Sequence, residues 1–427
     1  MEKWGFSRGQ VPLLLSVIAL SFVLLPTTNS FQTSTGQSQP QRLPASSASL
    51  HMSDPLAGPS AKRAPLQRKK DLKQFSRFLE VECWKRAELR DLEPVLASVA
   101  EACRQINRIV QRAQTDDIYG VAVKIDGSPL DDTNVQGEVQ QKLDVLCNTI
   151  MLRAFCGSSR SVHSVASEEE DEPRCCSDVM NDSAFAVGNF IAVFDPLDGS
   201  KNIDASLPVG SIFGIYKKIP GKSVDDQTFL QDGSGLVAAG YCLFSATTVL
   251  VLTLGSGVDG FTLDPDTGRF LHTHQDIRIP SSGPIYSFNE ANFKDFDPPV
   301  KHFLNALKEG SSSTGIRSNA RYIGALVADV HNVLINGGIY GYPSTRANRN
   351  GKLRLLYESA PMAMILEQAG GAGSTGRGRI LDVVATKIHQ RIPTFLGSIE
   401  NVFELDQFYK YYSDDDNKEQ VSTAKQV

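Results

Sequence analysis

Cysteine is scarce in this chain: seven in 427 residues, at positions 83, 103, 147, 156, 175, 176 and 242. That number is too small for a disulfide scaffold, and the absence of a Cys-x-x-Cys pair removes the usual zinc signal. Reduced thiols are the expectation. A positive excess is also missing, since 43 Lys and Arg face 48 Asp and Glu, for a formal net charge of −5. Binding along a phosphate backbone usually shows as clustered Lys and Arg, so nucleic acid is excluded as a bulk partner. No period repeats along the chain. What is present is an ordinary apolar fraction, 41%, on a chain long enough for one large domain or two moderate ones.

The first 70 residues differ in kind from the rest. Residues 1–30 carry Lys3 and Arg8, an apolar run from Val11 to Leu25 of about 15 residues, and a polar exit Pro26-Thr-Thr-Asn-Ser30. A membrane span wants about 20 apolar residues, so the run reads as a signal peptide. Residues 31–70 are rich in Ser, Thr, Gln and Pro. They hold Arg42, Lys62, Arg63, Arg68, Lys69 and Lys70 against a single acid, Asp54, which is the composition of a transit peptide. A signal peptide followed by a transit peptide, with Phe31 directly after Ser30, resembles the bipartite presequences of algae with secondary plastids. The resemblance implies a mature protein in a plastid stroma, starting between Met52 and Lys70, with no membrane in the mature form.

Further along, steps of three and four residues predict helix from Asp71 to about Gln114, with Leu96, Val99, Ile106 and Val110 on one face. Asp116–Glu138 is polar and reads as a mobile loop, and Lys142–Phe155 as helix. Short apolar runs at Phe190–Phe194, Ser211–Tyr216, Leu236–Tyr241, Thr247–Leu254 and Gly260–Leu263 predict buried strands. Helices follow at Pro299–Leu307, Leu326–Ile335 and around Ala360–Ala369, and residues 413–426 read as a frayed tail. The mixture implies α/β or α+β layers. We divide the mature chain into residues 71–260, 261–412 and a tail, 413–427.

The chemistry-bearing segment is Asp195-Pro-Leu-Asp-Gly-Ser200, which sets two acids three apart where a buried strand is expected to turn outward. Pro196 fixes φ and Gly199 permits close backbone approach. The amides of Gly199, Ser200 and Lys201 can then face an anion. Acids for a hard cation beside amides for a phosphate suit metal-assisted phosphoryl transfer. Alone, the segment is equally an Asx turn. Two further acidic sites favour the functional reading. Glu168 and Glu169 lie upstream, with Glu170, Asp171 and Glu172 read as solvated, and Glu358 sits among Leu355, Leu356 and Pro361, where a buried carboxylate wants a cation. Asp144 lies one helical turn from Asn148 and faces inward.

The run FDPLDGSKNIDASLPVGSIFGIY resembles the signature of the fructose-1,6-bisphosphatase family, within the metal-dependent sugar phosphatases. KLDVLCNTI, ARYIGALVADVH, GGIYGYP, GKLRLLYESAPMAMILEQAGG and IHQRIPTFLGS are similar to the same family, in order, from Lys73 to Tyr409. The resemblance implies a layered α/β/α/β/α sandwich and hydrolysis of the 1-phosphate of a sugar bisphosphate. It implies that Glu168, Glu169, Asp195, Asp198, Glu358 and the Leu197 carbonyl bind two or three Mg²⁺ per subunit. Asp144 with Glu169 would activate water, and Gly199, Ser200 and Lys201, with Asp198, would face the 1-phosphate. Asn289, Tyr322 and Tyr342 match positions gripping the 6-phosphate, and Lys352 the position reaching sugar and phosphate oxygens. Arg321 matches an arginine that reaches a neighbouring subunit, which implies a homodimer or homotetramer.

Departures from the family pattern concern regulation and grip. Lys201 replaces a serine, and Asn292 stands where a third tyrosine is usual. Lys85–Leu96 lacks the Gly-Thr-Gly-Glu turn of AMP-regulated members, and Asn189 and Phe190 replace a Lys-Tyr pair, so little AMP inhibition is expected. Lys217–Ser234 lacks the cysteines of the land-plant plastid insertion. Cys175 and Cys176 are read as two free surface thiols; pairing of either with a distant cysteine would instead pull on the Glu168–Glu169 loop. Sedoheptulose-1,7-bisphosphatase or dual activity is the alternative enzyme reading, and a catalytically silent homologue the alternative from another class.

Overall fold

The computed structural model describes residues 72–116, 118, 142–221 and 228–424, with side chains as far as Tyr412. The segments read from sequence as signal and transit peptides, and nearly all of the loop expected at Asp116–Glu138, lie outside the described residues. The described chain opens with α1 (Phe75–Lys85) and α2 (Glu93–Gln111), where the sequence predicts one helical stretch. Arg86 breaks it in an extended conformation, a 3₁₀ turn over Ala87–Leu92 follows, and Pro94 sits in the first turn of α2, where its missing N–H costs no helical bond. α3 (Lys142–Gly157) packs beside α2.

Eight strands then form one mixed sheet: β1 (Val162–Ser167), β2 (Arg174–Cys175), β3 (Phe190–Asp198), β4 (Val209–Lys217), β5 (Leu236–Phe244), β6 (Thr248–Thr253), β7 (Asp259–Asp264) and β8 (Arg269–His274). Their spatial order is β2-β1-β3-β4-β5-β6-β7-β8, with β1 and β3 parallel and the remaining pairs antiparallel. The short α4 (Cys176–Met180) follows β2. A second sheet comprises β9 (Ile285–Phe288), β10 (Asn319–Ala320), β11 (Gly338–Tyr342), β12 (Ala372–Ser374) and β13 (Thr394–Gly397), in the order β10-β9-β11-β13-β12. The helices of this half are α5 (Pro298–Glu309), α6 (Leu326–Asn336), α7 (Ala360–Gln368) and α8 (Ile399–Ala424).

Side-chain alternation builds the layers. In β3, Phe190, Ala192 and Phe194 face α1–α3, while Ile191 and Val193 face the opposite side, towards α6 and α7. In β11, Tyr340 joins that middle layer and Ile339 points away, onto α5 and α8. The result is α/β/α/β/α, as the resemblance implies. Each fully buried aliphatic or aromatic side chain contributes roughly 1.5–3 kcal/mol. Among the described residues no helix is long and apolar enough to cross a membrane.

Four expectations need correction. The first sheet runs on to His274, so a division at residue 260 falls inside β7; the break lies in the segment between β8 and β9. β3 continues through Asp198 instead of turning at Asp195. A register shift against β4 between these residues absorbs Pro196, whose carbonyl accepts from Ser211 Oγ at 2.7 Å. α8 carries its helical backbone to Ala424, beyond the expected tail boundary; its start is anchored by Val402, Leu405 and Tyr409, and residues 413–424 contain neither Gly nor Pro. Finally, Cys176 is no surface thiol. It is buried at the first position of α4 and disulfide-bonded to Cys156 at the end of α3, with the Cα atoms 5.0 Å apart. Cys175 is free and half-buried.

Candidate active site

The end of β3 is where three layers meet. Asp195 is buried, and its Oδ1 accepts from the Leu197 amide at 3.0 Å, fixing the bulged backbone. Asp198 Oδ2 accepts from the Val327 amide at 2.7 Å, in the first turn of α6, where free N–H groups favour a carboxylate. Gly199 then turns the chain with φ +77°, and a Cβ there would lie 2.6 Å from that of Ala325. Only glycine suits both the angle and the approach. A 3₁₀ turn over Ser200–Ala205 follows, tied by Asn202 Nδ2 to Pro208 O at 3.0 Å.

The upstream acids come from the end of β1. The Glu168 amide donates to Phe194 O at 3.1 Å, which holds it beside β3. Ser167 Oγ donates to Asn148 Oδ1 at 2.8 Å and accepts from the Glu169 amide at 3.2 Å, while Asn148 Nδ2 donates to Glu170 at 2.9 Å. Asn148 thus pins the acidic loop to α3, one turn from buried Asp144. Glu170 is half-buried, unlike the solvated Asp171 and Glu172.

Glu358 enters from a π-helical turn over Leu355–Ser359 that leads into α7. Arg354, at its start, is buried at 4% exposure and reaches Glu168 at 2.6 Å and Glu358 at 3.7 Å. Its contact with Glu168 is one of charge rather than an aligned hydrogen bond. Arg354 is not among the candidates that the sequence singles out. The signal was available, since an arginine between Leu353 and Leu355 must be either exposed or neutralised by acids.

Crowding of acids away from water shows in their protonation. Burial, reinforced by Glu168 and the other nearby carboxylates, pushes Asp195 well above the usual range. Burial raises Asp198 to about 7, against the amides of Val327 and Leu326, and raises Glu358 to about 7, against Arg354. One guanidinium does not neutralise this set, so the donors present fit a hard divalent cation. Among the described residues no three acids form a closed ligand cluster, and Arg354 occupies the space between Glu168 and Glu358.

The facing wall is aromatic and polar. Tyr322, Tyr340, Tyr342 and Lys352 line the same cleft as Asp144, Glu168, Glu169, Asp195, Leu197, Asp198, Gly199, Ser200, Lys201 and Glu358. Burial lifts Tyr322 to about 12, with a hydrogen bond to Asn289 opposing the shift, so its hydroxyl stays a donor at neutral pH. Lys352 Nζ stands 5.9 Å from the centre of the Tyr342 ring. Asn289 joins the site through Tyr322. Arg321 does not line the cleft; it is exposed, and its guanidinium donates to Ala320 O at 2.9 Å. Asp329, also outside the candidates that the sequence singles out, is a buried residue of the same cleft lining and accepts from the amides of Ile323 and Gly324 and from Ser287 Oγ, which shapes the loop carrying Tyr322.

The model of the fructose-1-6-bisphosphatase N-terminal domain matches residues 75–275, and that of the C-terminal domain matches residues 279–410. The chain belongs to the fructose-1,6-bisphosphatase family. Relatives include a chloroplastic fructose-1,6-bisphosphatase of Triticum aestivum, 47% identical over 326 residues that cover 74% of this chain and 76% of the relative. A cytosolic fructose-1,6-bisphosphatase of Oryza sativa subsp. indica is 43% identical, covering 79% and 96%. The crystal structure of Leishmania major fructose-1,6-bisphosphatase in holo form superposes with a TM-score of 0.71 at 35% identity, over 79% of this chain and 99% of that one. The match to both family domains divides the chain between residues 275 and 279, which is also where its two sheets separate.

Proposed function

We propose that this chain hydrolyses the 1-phosphate of fructose 1,6-bisphosphate to fructose 6-phosphate and phosphate, as a Mg²⁺-dependent enzyme of plastid carbon metabolism. The observation that carries the reading is the convergence of Glu168, Asp195, Asp198 and Glu358 at a glycine turn, opposite a tyrosine and lysine wall. Glu168, Glu169, Asp195, Asp198, Glu358 and the Leu197 carbonyl would hold two or three Mg²⁺. Bound there, the ions would neutralise charge on the transferring phosphoryl group and lower the pKa of the attacking water.

The chain's own groups do the rest. Asp144, buried on the cleft lining, and half-buried Glu169 take the proton of the attacking water. The amides of Gly199 and Ser200, with Lys201 beside them, receive the oxygens of the 1-phosphate. Tyr322, Tyr342 and Asn289 donate to the 6-phosphate without adding charge, and Lys352 reaches the sugar and phosphate oxygens. Arg321, free of the cleft in its own subunit, serves the cleft of a neighbour in a homodimer or homotetramer. The leader composition and the chloroplastic relatives support a plastid stroma reached through a signal peptide and a transit peptide.

Phosphate release from fructose 1,6- and sedoheptulose 1,7-bisphosphate, with and without Mg²⁺, tests the proposal. Metal-dependent release from the fructose ester is expected, with loss in Asp195→Asn at unchanged fold. Release from neither ester, or full activity of that variant, overturns it; preference for the seven-carbon ester reassigns the substrate.

A further inference from the structure

A second cleft of about 760 Å³ lies in the C-terminal half, and it shares no lining residue with the catalytic cleft. Its floor is apolar, built from Phe296, Ile392, Pro393 and Tyr409. Its walls carry Lys294, Lys301, Arg346, Arg349, Arg377 and Arg391, opposed only by Asp295 and Asp297. In a chain with a net charge of −5 this is a local inversion of sign.

A basic stretch on one element would be an ordinary solvated face. Here the cations come from three separate segments, around α5, the loop between β11 and Lys352, and the turns flanking β12 and β13, and they surround one concavity. Among the described residues Lys294, Lys301, Arg349 and Arg377 have no carboxylate partner, and the pairing of Arg346 with Asp295 is long, at 3.7 Å. Two glycines fix the walls. Gly376 has φ +82°, and a Cβ there would lie 2.5 Å from the Tyr409 ring, so the turn bearing Arg377 sits directly on the floor. Gly351 has φ +78°, and a Cβ there would lie 2.3 Å from Ile392 O, which seats the loop bearing Arg346 and Arg349 on the same floor. Guanidinium forks match phosphate oxygens, and an apolar floor lowers the local dielectric under them.

We propose that this cleft is a second anion site, which binds a small molecule carrying at least two phosphate groups. The loop that forms one wall begins after Tyr342 and ends at Lys352, so the ligand sits one loop away from the catalytic cleft.

The test is calorimetric titration of the mature chain with inorganic pyrophosphate in chelator, where no hydrolysis occurs. Wild type is expected to show two classes of site per subunit. Arg349→Glu with Arg377→Glu should weaken one class by about tenfold or more, the loss of about 1.4 kcal/mol of contact, and leave metal-dependent phosphate release intact. Lys352→Met should affect only the other class. Arg349→Gln with Arg377→Gln repeats the test without charge reversal should the first pair fail to fold. Unchanged titration in the folded double variant, or a single class that Lys352→Met abolishes, overturns the proposal.

Discussion

Arg354 makes the sharpest prediction, because its guanidinium is the only cation whose ion pairs reach into the buried acid cluster among the described residues. It stands 2.6 Å from Glu168 and 3.7 Å from Glu358, at 4% exposure. Arg354→Met keeps the apolar stem and removes the charge. At an effective dielectric of about 20, one pair at about 4 Å is worth about 4 kcal/mol. Removing one partner of a buried pair typically costs about 3–5 kcal/mol, because the other charge stays behind. In chelator the variant should therefore unfold about 3–5 kcal/mol more easily. Mg²⁺ at about 100 times the wild-type Kd adds about 2.7 kcal/mol to folded wild type and more to the variant, whose Glu168 and Glu358 are no longer held by the guanidinium, so the deficit should shrink. It should also be smaller at pH 6 than at pH 8, because Glu358, already raised to about 7 with Arg354 present, takes a proton more readily without it. Urea unfolding of both proteins with and without Mg²⁺ measures each quantity. An equal deficit under both conditions, or none in chelator, would refute the idea that Arg354 stands in for a divalent cation.

Three further outcomes follow from single features. Gly199→Ala forces a Cβ to within 2.6 Å of Ala325 at φ +77°; it should cost about 1–3 kcal/mol and lower kcat more than Gly324→Ala, as phosphate-release kinetics would show. Breaking the Cys156–Cys176 bond, which spans 20 residues, should remove about 3 kcal/mol of stability. Chemical unfolding of Cys156→Ser or of the reduced protein checks this, and identical midpoints before and after reduction would contradict it. His331, bonded through Nδ1 to Tyr241 Oη at 2.8 Å, is lowered by burial to about 4. Below about pH 6.5 the unfolded chain binds the proton first, so wild type should lose about 3 kcal/mol between pH 6.5 and 4 relative to His331→Gln, whose deficit should narrow in unfolding titrations.

Much of the site could be read without coordinates because its acids interrupt apolar runs. Asp195 follows Phe190–Phe194, and Glu358 follows Leu355–Tyr357; a charge in such company has to be matched by a cation. Short apolar runs and three- and four-residue steps make the strands and helices legible and imply α/β or α+β layers, whereas the five-layer order is what the family resemblance implies. What stayed hidden depends on pairings between distant segments. Pro196 reads locally as the end of a strand, and only the register of β4, with Ser211 Oγ under the Pro196 carbonyl, turns it into a bulge inside one. Cys156 and Cys176 lie 20 residues apart with no sequence rule joining them, and it is the packing of α4 on α3 that brings their Cα atoms to 5.0 Å.

Arg354 carries the same lesson into chemistry. Its neighbours Leu353 and Leu355 say that it is buried, but not which acids receive it. Once Glu168 is known to arrive from β1 and Glu358 from the turn before α7, the arginine has two partners and the acid set has lost two oxygen atoms to it. A divalent cation that takes Glu168 and Glu358 as ligands must therefore displace these contacts or share them. On the proposed metal role, metal affinity would be partly set by how firmly Arg354 holds its two carboxylates, and Arg354→Met, while less stable without metal, should bind Mg²⁺ more tightly in calorimetric titration. Weaker binding in that variant would mean that the guanidinium orders the acids for the metal instead of competing with it.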